Sequence, residues 1–463
     1  MSNVDLARIQ FAMTSIYHFL FVPVTIGLGF LTAVLQTVWH RKGEAAYLRL
    51  TKFFGTLLII NVAVGVVTGL VQEFQFGMNW SAYSRLVGDV FGAPLAMEGL
   101  AAFFLEATFL GVWIFGWGKL PRRLHLATIW LVALGSAGSA AFIMAANSWM
   151  QHPVGYQTNP TTGRPQLNDI WAVMTNPVFL WGYAHVLLAA LATAAVVMLA
   201  VSAWHLRKKS HVEVFARSAK LSLAVLVPTM FLAMFVGSEL GVVEAKYQPM
   251  KIAAAEAQWE TCQPCSFSAF QIGGGNNDQN PTKIIAIPHL LSLLATNTWN
   301  GQVIGLNEVN AQYQQQYGPG NYVPNVFIQY WSMRVMAYAA SLVLLLGLWG
   351  LWLIHRNKLE TSRRFLWLAV WSVLLPFAMN TAGWLLTENG RQPWIVQGIM
   401  RTADGVSPSV GTTSIVVSLI VFFLLYLVLA IVDLVLMLRY ARRELPPAPA
   451  EPVDEPPVPV GIQ

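Results

Sequence analysis

The chain has 463 residues, of which 56% are hydrophobic and only 11% are charged. This composition excludes a single soluble domain and indicates a multispan membrane protein. The net charge is +6, but the basic residues are confined to short segments between apolar runs, so we expect no nucleic-acid partner. The first residues have no basic stretch and no small-residue cleavage site, so we predict no cleavable signal peptide.

Nine apolar stretches are each long enough to cross a bilayer, which takes about 20 residues. They lie at residues 15–38, 53–75, 94–117, 125–149, 178–203, 219–243, 328–354, 365–387 and 412–438. We predict an all-α integral membrane protein with about nine transmembrane helices. Its four parts are helices 1–6 (residues 1–243), a long extracytoplasmic loop (244–327), helices 7–9 (328–438) and a disordered cytoplasmic tail (439–463).

The segments between these stretches alternate in charge. One set is rich in basic residues, which are Arg41, Lys42, Arg49, Lys52, Lys119, Arg122, Arg123, Arg207, Lys208, Lys209, Arg217, Lys220, Arg356, Lys358, Arg363, Arg364, Arg439, Arg442 and Arg443. The other set is longer, polar and poor in Lys and Arg. The positive-inside rule therefore predicts an outer N-terminus and a cytoplasmic C-terminus.

Residues 244–325 are too long for a passive connection. Their start, from Lys246 to Trp259, has a helical pattern, and residues 273–277 form a flexible Gly/Asn run. Residues 284–294 are expected to form a helix lying on the membrane surface.

Two histidines, His18 and His185, lie inside predicted spans, in the half of the membrane nearer the long loop. Met336 lies at a similar depth in the seventh span. Imidazole and thioether are the usual axial ligands of low-spin haem iron, so a His/Met pair on two helices is compatible with a haem site. The alternative is that these side chains only fill the core of the bundle.

Ionisable side chains inside spans are costly and usually functional. Glu98 and Glu106 share roughly one helix face, which suits a stepwise proton path, although acids bonded to a neighbouring helix would give the same pattern. Glu388 ends the eighth span, where a Trp/Arg anchor is the alternative reading. Arg334 needs an anion, either a haem propionate or a glutamate, and Arg391 is similar.

The remaining candidates lie in the long loop. Lys251 and Glu256 by themselves fit an ordinary solvated helix. Cys262 and Cys265 are compatible with a redox pair, half a metal site or a structural disulfide, and a local disulfide is the plainest of the three.

Taken together, these motifs resemble subunit I of the cytochrome bd quinol oxidases over nearly the whole chain. The segments that carry the resemblance are residues 17–21, the Glu98/Glu106 segment, and residues 146–151, 251–261, 330–336 and 390–394. The last of these, Gly-Arg-Gln-Pro-Trp, is close to diagnostic. The loop is of the short type found in one branch of the family.

The resemblance implies a role for each candidate residue. His185 and Met336 match the axial ligands of a low-spin haem b, with Arg334 pairing charge at that haem. His18 and Glu388 match ligands of two high-spin haems, framed by Trp384 and Arg391 and supported by Asn147. Glu98 and Glu106 match the oxygen-site acid and the residue that hands on cytoplasmic protons. Lys251 and Glu256 match quinol-site residues.

The activity implied by the resemblance is oxidation of membrane quinol at the outer face and reduction of dioxygen to water. Electrons pass from the low-spin haem to the high-spin pair, and charge is separated without a pumped proton. A second large membrane subunit is the implied obligate partner, small single-span subunits are further possible partners, and the location is the bacterial cell membrane. Short-loop relatives leave the oxygen-site haem open between haem d and haem b.

Two other classes of protein fit part of the pattern. A non-redox transporter would use the buried acids and arginines as an ion pathway, and it predicts inverted repeats, of which none is convincing here. An electron-carrying cytochrome b would need the histidines, but it leaves Glu98 and Glu106 unexplained.

Overall fold

The computed structural model describes residues 2–445. Residues 446–463, which include most of the expected disordered tail, lie outside the described residues. The helices are α1 Asn3–Lys42, α2 Ala45–Met78, α3 Ser81–Met97, α4 Phe104–Phe115, α5 Arg122–Gln151, α6 Ile170–Met174, α7 Pro177–Arg207, α8 Val212–Tyr247, α9 Pro249–Ala255, α10 Leu290–Thr296, α11 Leu306–Tyr317, α12 Val326–His355, α13 Arg363–Trp371, α14 Leu374–Gly390 and α15 Thr412–Ala441. The strands are β1 Tyr156–Thr158, β2 Pro165–Leu167, β3 Phe267–Ile272, β4 Thr282–Ile287, β5 Trp394–Val396 and β6 Met400–Arg401.

Within residues 2–445, nine helical segments are long and apolar enough to cross a membrane. They are α1, α2, α3–α4, α5, α7, α8, α12, α13–α14 and α15. The predicted fold class, an all-α membrane protein of about nine spans, is confirmed. Helix α1 begins at Asn3, well before the apolar stretch at residue 15, because Ser2 and Asp5 form a reciprocal capping box.

Two of the predicted spans are interrupted, each next to a proline. A π-helical segment, Glu98–Phe103, follows Pro94 and joins α3 to α4. Helix α13 ends before α14 begins, because Pro376 has no N–H to donate to the carbonyl of Ser372. The sequence predicted both spans as continuous, because the apolar run continues across each irregularity.

Helices α1 and α7 pack against each other through small residues at the centre of the bundle. A Cβ atom on Gly27 would clash with the carbonyl oxygen of Ala190 and would lie 2.5 Å from Cβ of Ala194. Glycine and alanine at such positions let helix backbones approach closely, which is the main source of packing energy between membrane helices. The buried core of α2, α8 and α12 surrounds this contact.

Two spans have little buried surface. Leu100, Phe104 and Phe115 of the α3–α4 span are exposed, as are Val428 and Leu434 of α15. Exposed apolar residues of this kind face lipid or another membrane subunit.

The irregular segments lie at one end of the bundle, where α5, α8 and α14 end and α12 begins. They form three two-stranded antiparallel sheets, β1–β2, β3–β4 and β5–β6. The expected surface helix at residues 284–294 is only partly correct, because β4 occupies its first part and α10 its last part. Pro288 separates the two, and the β-branched residues Ile284 and Ile285 favour the strand that pairs with β3.

The α1–α7 contact can be tested by adding one methyl group. We expect Gly27→Ala to destabilise the bundle by about 1–3 kcal/mol, the usual cost of overpacking a tight core. Gly29→Ala is the matched control, because its Cβ would lie 3.5 Å from Cα of Ala133, an ordinary contact. Thermal unfolding of the purified complex measures the difference, and equal melting temperatures for the two variants would contradict the packing argument.

Candidate functional site

His185 on α7 is held by a backbone group of the neighbouring helix. Its Nδ1 lies 3.1 Å from the carbonyl oxygen of Ala233 on α8. A carbonyl can only accept a hydrogen bond, so Nδ1 carries the proton and Nε2 keeps its lone pair. A Cβ on Gly237 would come within 2.9 Å of the ring, so α8 can approach this closely only with glycine there.

His18 on α1 has the same arrangement with different partners. Its Nδ1 lies 2.9 Å from the hydroxyl oxygen of Thr68 on α2. That hydroxyl donates its own proton to the carbonyl oxygen of Gly65, at 2.9 Å, so His18 is the donor in this pair. Nε2 is again left with a lone pair. Gly69 backs the ring, since its Cβ would lie 3.2 Å from Cε1.

Met336 on α12 is also backed by a glycine. A Cβ on Gly383 of α14 would lie 3.3 Å from the sulfur. Helices α7 and α12 both pack against α8 and α14, so His185 and Met336 belong to the same group of four helices. Trp384, the residue after Gly383, packs edge-on against Phe19 with ring centroids 4.9 Å apart, next to His18.

Glu388, in the last turn of α14, is the centre of a first polar cluster. Arg391 forms an ion pair with one carboxylate oxygen, and the amide of Asn147 donates to the other at 2.8 Å. Asn147 in turn accepts from Gln151, one turn later on α5, at 2.7 Å. The cluster therefore joins the ends of α5 and α14.

The same cluster continues to Lys251 on α9. The buried ammonium of Lys251 donates to Gln151 at 2.6 Å and to Glu244 at 2.7 Å. A cleft beside it is lined by residues that include Gln248, Arg391 and Trp394. Within residues 2–445, Oε1 of Gln248, Nε of Arg391 and Nε1 of Trp394 have no hydrogen-bond partner, which is typical of a site that holds a ligand or water.

Glu256 and Arg334 form a second, separate polar cluster. Their ion pair is 2.7 Å long and almost completely buried. Arg334 also donates to the carbonyl oxygens of Ala255 and Ser268, both at 2.5 Å, and its guanidinium lies 3.9 Å from the centre of the Tyr330 ring. Of the two anions expected for Arg334, the structure provides the glutamate.

Burial raises the pKa of Glu256, and the positive charges of Arg334 and Lys283 oppose that rise. Lys283 reaches this cluster from β4 and donates to the side chain of Gln258 at 3.2 Å. Burial lowers the pKa of the Lys283 ammonium.

The acids of the third span lie against α5. The hydroxyl of Ser139 donates to Glu98 at 2.5 Å, and Ser136, one turn earlier, faces Glu106. Glu98 begins the π-helical segment, a local widening of the helix that is frequent at functional sites. Glu73 on α2 lies within electrostatic range of Glu98.

The structure thus brings together the predicted residues Glu388, Arg391, Asn147 and Lys251, and it pairs Arg334 with Glu256. It does not bring Lys251 and Glu256 into one contact, because Lys251 bonds to Gln151 and Glu244 whereas Glu256 bonds to Arg334. Sequence reasoning missed Gln151, Glu244, Lys283 and Glu73. Glu73 lies inside the second apolar stretch, so a search of that stretch for charged residues would have found it.

Cys262 and Cys265 are joined by a disulfide, which confirms the plainest of the three readings. The backbone of Cys262 pairs with Val303, and the N–H of Cys265 donates to Ser292 of α10 at 2.7 Å. Across residues 2–445, no three His, Cys, Asp or Glu side chains converge as a metal site, so the reading as half a metal site has no support.

Comparison with known proteins matches residues 6–445 to the family model for cytochrome bd terminal oxidase subunit I. A curated relative, cytochrome bd ubiquinol oxidase subunit 1 of Bacillus subtilis (strain 168), is 44% identical over 96% of this chain and 94% of its own length. Cytochrome bd-II ubiquinol oxidase subunit 1 of Escherichia coli (strain K12) is 36% identical over 95% and 96%. The solved bd oxidase from Geobacillus thermodenitrificans superposes with a TM-score of 0.86 at 32% identity, covering 95% of this chain and 98% of that chain.

The chain belongs to the cytochrome bd terminal oxidase subunit I family. It is a multi-pass bacterial membrane protein and an oxidoreductase of aerobic electron transport. The resemblance noted from the sequence motifs is confirmed.

Membership in the cytochrome bd family implies haem, and the donor atoms of this subunit I fit that group. Both histidines carry the proton on Nδ1 and keep Nε2 as a donor for iron. A thioether and two imidazoles inside spans, each backed by a glycine, are soft or neutral ligands of the kind haem iron takes. Glu388 has two neighbours that orient its carboxylate.

The link from Glu388 to Lys251 depends on Gln151, which no family motif singled out for a role. In Gln151→Leu, Nζ of Lys251 and Oδ1 of Asn147 each lose a buried partner, so we expect a stability loss of about 1–3 kcal/mol. Thermal unfolding of the purified subunit I complex measures this. Gln315→Leu on the exposed face of α11 is the control, and a loss no larger than that of the control would contradict the role of Gln151.

Proposed function

We propose that this subunit oxidises membrane quinol at the outer face and reduces dioxygen to water with protons taken from the cytoplasm, so that charge is separated without a proton pump. The observation that carries the proposal is the buried pair of Glu256 and Arg334, because Arg334 precedes Met336 by two residues on α12. The proposed proton acceptor, Glu256, therefore contacts the helical turn that also carries Met336, a candidate haem ligand.

Quinol oxidation releases two electrons and two protons. Glu256 is the proposed acceptor of a quinol proton, because it is a buried carboxylate beside Arg334 and burial raises its pKa. Lys251 is the proposed donor to a quinol oxygen, since it lies beside the cleft lined by Gln248 and Arg391 and its side chain is buried. The names of the Bacillus and Escherichia relatives specify ubiquinol, which supports a quinol as substrate here.

The proposed cofactors are a low-spin haem b held by His185 and Met336, and a high-spin pair, one haem b and one haem d or b, that takes His18 and Glu388. When bound, the haems supply electron transfer and the reduction of dioxygen. Arg391 and Asn147 orient the Glu388 carboxylate, while Trp384 packs beside His18 through Phe19.

Reduction of dioxygen to two waters consumes four electrons and four protons. Glu106 and then Glu98 are the proposed carriers of these protons, with Ser136 and Ser139 beside them on α5. The cytoplasmic source follows from the positive-inside rule, which puts the basic helix ends inside.

The family name supports a second membrane subunit as partner, and the exposed apolar face of α3–α4 is the proposed place for it. Such a face is too extensive for a soluble surface and fits a neighbouring helix bundle. Small single-span subunits are further proposed partners, with α15 as the remaining exposed span.

A reduced-minus-oxidised absorption spectrum of the purified complex, repeated with carbon monoxide, tests the cofactors. A chlorin band shifted by carbon monoxide indicates haem d, and haem b bands with carbon monoxide binding alone indicate haem b at the oxygen site. Haem b without a carbon monoxide response would favour an electron carrier, and no haem at all would favour a transporter.

The same spectrum tests the proposed ligand Met336. Met336→Leu is expected to remove the band of the low-spin haem, while the control Met333→Leu keeps it.

The pH dependence of turnover tests Glu256. An acceptor must be ionised, so kcat/KM for quinol should fall as the pH drops through its pKa. The charge of Lys283 opposes the raised pKa of Glu256. In Lys283→Gln that pKa rises further, and the acid limb of the profile should move to higher pH.

Lys246→Gln is the matched control for this profile, since Lys246 stacks on Tyr247 at the end of α8. Oxygen consumption with a soluble quinol measures both variants. An acid limb that stays in place in Lys283→Gln, or that moves equally in the control, would exclude Glu256 as the group that sets it.

A further inference from the structure

Hairpin β3–β4 exposes an unusual amount of apolar surface for a loop. Phe270 and Ile272 of β3 are exposed, as are Ile284, Ile285 and Ile287 of β4. The two strands pair with each other alone within residues 2–445, so β4 is an edge strand. In water, an exposed apolar edge strand would be an aggregation site.

Soluble proteins usually protect such an edge with a charged residue, lysine above all. The only charged residue in β4 is Lys283, and it does not serve that purpose. It is half-buried and turned inward, where it donates to Gln258 at 3.2 Å. The outer surface of the strand is therefore left without charge.

The hairpin lies against the N-terminal half of α12. Tyr338 donates to the carbonyl oxygen of Ala269, and the rings of Phe270 and Trp331 lie 5.7 Å apart. At a rise of about 1.5 Å per residue, Tyr338 lies about 27 Å from Arg356 at the basic end of the same helix. Since a hydrocarbon core is about 30 Å thick, this contact lies at the edge of the core.

The exposed face of the hairpin continues the exposed face of α12. Ile285 is 56% exposed and Leu342 of α12 is 54% exposed, so the two have comparable free surface. Phe327, one turn before Trp331, extends the same apolar surface at 64% exposure. The hairpin adjoins this helix face through the contacts of Phe270 with Trp331 and of Ala269 with Tyr338.

We propose that hairpin β3–β4 lies in the membrane interface at this end of the bundle, with Ile272, Ile284 and Ile285 against lipid acyl chains. Backbone hydrogen bonding limits how deeply the hairpin enters the membrane. The carbonyls of Ser268 and Ala269 accept from Tyr330, Arg334 and Tyr338 of α12, so these two backbone groups need no water. The other edge, on β4, needs water or headgroups, so the hairpin stays at the boundary and does not enter the core.

This position matters for the site because Ser268 also holds Arg334, the partner of Glu256. The hairpin is then the wall between lipid and that ion pair. If the proposed quinol site is correct, which this consequence requires, the apolar tail of a membrane quinol would lie along this wall.

Site-directed fluorescence tests the placement without any assay of turnover. An environment-sensitive fluorophore is attached to Ile285→Cys in the purified complex, under non-reducing conditions that keep Cys262 and Cys265 paired. The complex is placed in phosphatidylcholine nanodiscs that carry a nitroxide either near the headgroup or deep in the acyl chain. We expect strong quenching by the shallow nitroxide and weaker quenching by the deep one.

Leu342→Cys is the lipid-facing control, for which the deep nitroxide should be the stronger quencher, and Gln315→Cys on exposed α11 should be quenched by neither. Position 285 behaving like position 315 would overturn the proposal. A label at position 285 that is shielded from both nitroxides and from a water-soluble quencher would also overturn it, since a protein and not lipid would then cover the hairpin.

Discussion

The long outer loop is tied to the membrane bundle by the ion pair of Arg334 and Glu256. All five N–H groups of Arg334 have an acceptor, shared between the Glu256 carboxylate and the carbonyls of Ala255 and Ser268. Removing one member of a buried pair typically costs about 3–5 kcal/mol, because the other charge is left unsolvated. The positions of α9 and of hairpin β3–β4 therefore both depend on one side chain of α12.

Helix α9 and the residue that follows it contribute to two separate polar clusters. Lys251 belongs to a polar chain that ends at Glu388 and Arg391, while Glu256 belongs to the cluster around Arg334. Each charge has an opposite charge or neutral donor beside it, so neither cluster holds an unpaired ion in the bundle. The two clusters therefore have different neighbours, although α9 reaches both of them.

The two interrupted spans, α3–α4 and α13–α14, both carry acids of the candidate site. The π-helical segment starts at Glu98, and the break between α13 and α14 precedes the helix that carries Glu388. A proline near each irregularity removes a backbone donor, which makes the change of helix phase inexpensive. At Glu98, therefore, the local backbone and the placement of the acid are parts of one feature.

The number of spans and the intramembrane polar residues could be predicted from the sequence alone. Both depend on local hydropathy, since hydrocarbon excludes charged side chains whatever the rest of the fold does. The disulfide of Cys262 and Cys265 was predictable for a similar reason, because the two residues are close in the chain. Roles for His18, His185, Met336 and Glu388 came only from resemblance to a family.

Only the tertiary structure decided which groups meet. The anion beside Arg334 was open between a propionate and a glutamate, and the contact of Gln151 with Lys251 was not predicted, because both contacts join segments far apart in the chain. The strand at β4, expected as a helix, forms because it pairs with β3 beside α12. Hydropathy indicates which residues enter or avoid lipid. Which side chains pair depends on the distances between packed helices, and a single sequence does not contain those distances.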